Sequence, residues 1–189
     1  MLDRQPVLEG ERLILRPLVP ADWDALFAVA SDPLIWQQHP AHDRWREPVF
    51  RAFFDDALAN QGALVAIDRA SGAVIGSSRF QGLEEGGGGS VEIGWTFLAR
   101  SHWGGTYNHE MKRLMLAHAL ASLAEVRFLV GETNTRSRRA QWKAEAPALV
   151  KTIENGKTVY SLPHRAKVVT DSVGTELYME YKGRKVADA

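Results

Sequence analysis

VEIGWTFLARSHWGGTYNHEMKRLMLAHALASL, residues 91–123, joins two periodicities through a turn. Val91, Ile93, Trp95 and Phe97 alternate with Glu92, Gly94, Thr96 and Leu98, the period of a strand. From Met111 the period becomes helical, with Met111, Leu114, Met115, His118 and Ala119 on one face. Arg100 to Asn108, RSHWGGTYN, lies between them. A strand that enters a helix through a glycine-bearing turn aims free backbone N–H groups and the positive end of the helix dipole at one point. Such a point holds phosphate. The local reading is therefore strand, anion cradle, amphipathic helix.

Towards the N-terminus, Arg12–Leu18 alternates charge with aliphatic bulk and is expected to form a first strand ending near Pro17 and Pro20. Trp23, Leu26, Phe27 and Ala30 then repeat at helical spacing up to Pro33. Leu34–Pro48 has no sustained period and is expected to be a connection. Its Trp36, His39 and His42 are candidates to shape an acceptor pocket; the alternative is that Trp36 and Trp45 plug the edge of the core. A second helix is predicted over Pro48–Asn60. Strands over Ala63–Asp68 and Ala73–Phe80 meet through Arg69–Gly72 as a hairpin. The loop Gly82–Ser90 contains GGGGS, the composition of an engineered flexible linker, which suggests a built loop. Towards the C-terminus, Val126–Val130 completes a β-α-β unit and demands a parallel strand pair. A short helix is expected from Asn134 or Thr135. Strands are expected at Thr158–Leu162, Lys167–Thr170 and Glu176–Tyr181, with a frayed tail from Lys182.

With 189 residues, 45% of them hydrophobic, the chain suits a single domain over 1–189. The 23 basic and 23 acidic residues balance, so no general affinity for nucleic acid or an anionic membrane is expected. The absence of cysteine excludes disulfides and thiolate chemistry. No leader-like or membrane-spanning apolar run is evident, and a soluble, cytoplasmic protein is expected. His102, His109 and His118 lack partners at metal-ligand spacing, so no metal is expected. No Gly-Lys-Ser/Thr element is present, which argues against a nucleotide-phosphate enzyme.

The words Glu11–Leu18 (ERLILRPL), Val91–Trp95 (VEIGW), Trp103–Asn108 (WGGTYN) and Asn134–Ser137 (NTRS), in that order, resemble the GCN5-related N-acetyltransferase (GNAT) superfamily, and more narrowly its ribosomal-protein (RimJ/RimL-type) branch. The likeness covers about residues 8 to 140. It implies an α/β (α+β) fold: a mixed, mostly antiparallel central sheet with helices on both faces and a β-α-β acetyl-CoA-binding core. Acetyl-CoA would be the cosubstrate, its pantetheine beside Phe97 and Leu98. Its pyrophosphate would lie on the turn of Arg100, Trp103, Gly104, Gly105, Thr106, Tyr107 and Asn108, with Asn134 a further contact. Glu92 would be the general base that takes the amine proton. Ser137 would protonate the leaving thiolate. The acceptor would be a primary amine, on a small molecule or a protein N-terminus, with neither nucleic acid nor membrane as partner. Two departures stand out. Arg100 lies one residue early for the phosphate loop, and Thr106 replaces a small residue there. Glu145 stands where relatives have glycine, so residues 141–189 depart from the pattern. The competing reading is a non-catalytic or engineered scaffold that retains the CoA cradle.

Overall fold

The computed structural model describes residues 1–39, 41–130 and the backbone of four later strands. Eight strands make one sheet: β1 (Leu8–Glu9), β2 (Leu13–Pro17), β3 (Ala63–Asp68), β4 (Val74–Glu84), β5 (Ser90–Leu98), β6 (Glu125–Val130), β7 (Val150–Glu154) and β8 (Lys157–Pro163). Their spatial order is β1-β2-β3-β4-β5-β6-β8-β7. Every neighbouring pair is antiparallel except β5 and β6, which the crossover helix α4 (Thr106–Leu120) makes parallel. The sheet is mixed and mostly antiparallel, as the resemblance implied. Strands β9 (Met179–Tyr181) and β10 (Arg184–Val186) form a separate antiparallel pair.

Apolar side chains leave the sheet on both faces, and each face buries its own core. On one, Leu13, Leu15, Phe80 and Ile93 meet Met111 and Met115 of α4. On the other, Val65 and Phe97 meet Leu26 of α1 (Trp23–Ala30) and Phe50 and Phe54 of α3 (Glu47–Ala59).

Several expectations shift. Helix α4 begins at Thr106, one turn before Met111, because Gly105 supplies a left-handed N-cap (φ 110°) and Glu110 is tied across the core to the backbone N–H groups of Glu11 and Arg12. The expected connection after Pro33 contains a short helix, α2 (Pro33–Trp36), started by the Asp32 carboxylate, which accepts from Leu34 N–H at 3.0 Å. Trp36 closes the core there, 3% exposed, its indole N–H donating to the Ala30 carbonyl at 2.7 Å. The glycine-rich loop has a packing role. Gly88 and Gly89 carbonyls accept from Ala124 N–H (2.9 and 3.1 Å), and a Cβ on Gly89 would stand 2.7 Å from Leu123 Cδ2. Close approach to the α4–β6 connection therefore asks for glycine, whatever the loop's origin. Strand β7 had no counterpart in the sequence reading, and β10 occupies part of the expected frayed tail. The helix near Asn134 and the strand at Lys167–Thr170 lie outside the described residues.

Candidate active site

Strand β5 pairs with β6 only over Ser90↔Glu125, Val91↔Val126 and Glu92↔Arg127, and then continues alone on that side to Leu98. A bulge explains the parting. Trp95 has φ +52°, and the register with β4 skips between Arg79↔Gly94 and Ser77↔Phe97. A left-handed tryptophan is costly and persists where surrounding structure enforces it, often at functional sites. The result is a wedge whose β5 wall presents backbone N–H and C=O groups to an extended ligand. Phe97 contributes only backbone to this wall, since its ring packs against Trp36 at 5.1 Å on the α3 face. The Leu98 carbonyl accepts from the Trp103 indole at 2.9 Å, so Trp103 braces the turn against the strand.

The turn then opens the helix. Gly104 and Gly105 have φ of 107° and 110°, and a Cβ on either would meet nothing within 4 Å. The first i→i−4 bond of α4 runs from His109 N–H to the Gly105 carbonyl (2.8 Å), and no side chain caps the helix. The N–H groups of Gly105, Thr106, Tyr107 and Asn108 are thus the orphan donors of the helix start. These residues fit a pyrophosphate. Two neighbours act indirectly. The Tyr107 hydroxyl donates to Asp68 Oδ1 at 2.8 Å. Together with the Ser71 hydroxyl, at 2.6 Å, it holds the Asp68 carboxyl down to about 2. Arg100 is committed to Asp32, the cap of α2.

Glu92 sits at the apex of the wedge, the last residue of β5 paired to β6. Its Oε1 would lie 3.0 Å from a Cβ on Gly94, so the carboxylate folds over the bare glycine. The sequence reading missed Lys112. It is 1% exposed, donates to the Thr96 hydroxyl at 2.6 Å and lies 5.4 Å from the Phe128 ring centroid. Burial pushes its ammonium down to about 7, against the opposing pull of Glu92. Lys112, Leu116 and Ala119 fall in one stripe at i, i+4 and i+7, so the signal was present in the sequence beside the Met111 face. His118 is half-buried, 2.7 Å from the Asp3 carbonyl, and so lies at the edge of the core. Asn134 and Ser137 lie outside the described residues. Among the described residues no helix is long and apolar enough to cross a membrane.

The family model of the GNAT acetyltransferase domain matches residues 12–146. A probable GNAT acetyltransferase from Chromobacterium violaceum superposes with a TM-score of 0.71 at 19% identity, covering 84% of this chain and 86% of that one. A GCN5-related N-acetyltransferase from Brucella melitensis gives 0.68 at 20% identity, covering 91% and 90%. A different kin also matches. Large ribosomal subunit protein bL32 of Clavibacter michiganensis is 76% identical over 59 residues, 31% of this chain and 88% of that protein. The acetyltransferase family model accounts for residues 12–146, and 59 residues follow β6. The chain therefore belongs to the GNAT acetyltransferase family, and over 59 of its residues to the family of large ribosomal subunit protein bL32.

Proposed function

We propose that this chain transfers the acetyl group of acetyl-CoA to a primary amine by direct attack, with Glu92 as general base. The observation that carries the reading is the wedge between β5 and β6, with a carboxylate at its apex and an uncapped helix start at its open end. Acetyl-CoA supplies an activated acyl group whose thiol is a good leaving group. The chain's part is to hold and to move protons. The α4 N-terminus binds pyrophosphate, and the free edge of β5 lines up the pantetheine. Glu92 takes the proton from the attacking amine, and an N–H donor on the β5 wall stabilises the developing oxyanion. Ser137 is assigned the proton returned to the thiolate, a role that rests on the family resemblance alone.

The acceptor we assign is a protein or peptide N-terminal amine, as in the RimJ/RimL-type branch, and the bL32-like part supports this choice. In this reading residues 131–189 seat the chain on the large ribosomal subunit and bring the wedge near ribosomal N-termini. The chain would then be one acetyltransferase unit extended by a ribosomal one. Saturating acetyl-CoA should raise the melting temperature by linkage. Thiol release with amino-terminal peptides should fall about 10²-fold or more in Glu92→Gln. A melting shift without thiol release from any acceptor would leave the non-catalytic scaffold as the reading, and no shift would remove both.

A further inference from the structure

Arg79 is 1% exposed on the α3 face of β4, directly opposite Gly94, the residue over which Glu92 folds. Its Nη1 donates to Asp56 Oδ2 at 2.6 Å, and its planar group lies 5.3 Å from the Phe53 ring and 5.1 Å from the Trp95 ring. Its Nε is buried with no hydrogen-bond partner among the described residues. A second guanidinium hangs above the same ring. Arg44 stacks 4.6 Å from Phe53 and 5.6 Å from Trp36, with Nη1 3.3 Å from His39 Nε2. Among the described residues no carboxylate lies within ion-pair distance of Arg44.

Asp56 is half-exposed and also accepts from Asn60 Nδ2 at 2.8 Å, so it offsets one guanidinium at most. Burial and the charge of Arg79 both weaken Arg44's hold on its proton, against the smaller pull of Asp43 and Asp56. Two stacked guanidiniums with a single ion-paired carboxylate, on Arg79, leave positive potential among these aromatic rings. Cation–π contacts to Phe53, Trp36 and Trp95 soften this without neutralising it. A carboxylate brought in by a ligand would, since guanidinium–carboxylate pairs are strong and directional.

We propose that the pocket formed by Arg44, Arg79, Phe53 and Trp95 is an anion subsite of the acceptor site, so that the favoured acceptor is a primary amine bearing a carboxylate close to it. Arg44, the more exposed of the pair, contacts the carboxylate, and Arg79 supports it from beneath. Glu92 stands two register positions along β5 from Gly94, and its carboxylate folds back over that glycine, which brings the base and the subsite within reach of one small acceptor. This deepens the acetyl-transfer reading and rests on it for the role of Glu92. The carboxylate has two sources: the α-carboxylate of a free amino acid, or the side chain of an acidic first residue in a peptide.

The test uses the full chain with matched acceptors: alanine against alanine amide, and the peptide Asp-Ala-amide against Asn-Ala-amide. In one of the two pairs the acid should exceed its neutral mate about tenfold in kcat/KM, and that pair identifies the source. Arg44→Gln should bring the ratio close to one by raising KM for the acid, and Arg44→Lys should restore part of it. Each variant is first checked for the acetyl-CoA melting shift, which separates misfolding from loss of the subsite. A parallel titration with N-acetyl-alanine and N-acetyl-aspartyl peptide reads binding without turnover. Equal rates within both pairs, or a preference that survives Arg44→Gln, overturns the subsite. If no acceptor is turned over, acetyl transfer fails. The subsite then stands or falls on whether N-acetyl carboxylates bind wild type more tightly than Arg44→Gln.

Discussion

Lys112 carries an ammonium group into the contact between α4 and β5, where the Thr96 hydroxyl is its hydrogen-bond donor's target and the Phe128 ring its neighbour. Thr96 in turn lies 2.8 Å from the Ser78 hydroxyl, so the lysine heads a short polar chain beside the wedge. Its pKa falls from 10.5 to about 7, first through desolvation. The unfolded chain therefore holds this proton over a pH range in which the folded chain has lost it. This group's contribution to stability rises as pH increases from about 7 to 10.5 and is flat below that window. Lys112→Met keeps the volume and removes the penalty. Its melting temperature should exceed wild type by on the order of 5 °C at pH 6, and the gap should shrink towards pH 10. A gap of equal size at both pH values would contradict the assignment.

At the scale of the element, the proposed cofactor binding turns on the start of α4. Gly105 needs φ 110°, which residues with a Cβ adopt only under strain of about 1–3 kcal/mol. Gly105→Val should disturb the first turn and weaken acetyl-CoA binding about tenfold by calorimetry. Gly72, at φ 70° in the β3–β4 hairpin, is the control. Gly72→Val should cost stability while leaving acetyl-CoA affinity near wild type. The strand, the glycine turn and the helix were legible because each obeys a local period. The exact start of the helix was not, since it depends on Gly105 and on Glu110 reaching the backbone of residues a hundred positions earlier.

Across the whole molecule, the even charge balance conceals two opposite parts. Residues 1–130 carry 12 basic and 16 acidic side chains, and residues 131–189 carry 11 and 7. Averaging over both removes the basic signal of the last 59 residues from the whole-chain balance. The Asn134–Ser137 word falls where the acetyltransferase match, ending at 146, overlaps the last 59 residues. The chain should co-sediment with large ribosomal subunits at low salt and dissociate steeply as salt rises, since phosphate contacts release counterions. Isolated bL32 protein should compete for the same subunits depleted of their own copy. Sedimentation apart from the subunits at every salt concentration would count against the tail's role.

By itself the sequence determined the strand-turn-helix of residues 91–123, the meander before it and the family, because alternation, helical period and glycine placement are local properties. Only the tertiary structure decided that Trp95 turns β5 away from β6, that Tyr107 serves Asp68, that Lys112 is buried and that Arg79 lies opposite Gly94, the residue over which Glu92 folds. Each depends on which distant segment packs opposite, and burial and pairing energies across such contacts leave no period in the chain. The glycine turn was thus readable as a candidate anion cradle from the sequence, while the wedge on which the acetyl-CoA reading rests emerges only when β5 and β6 are set side by side.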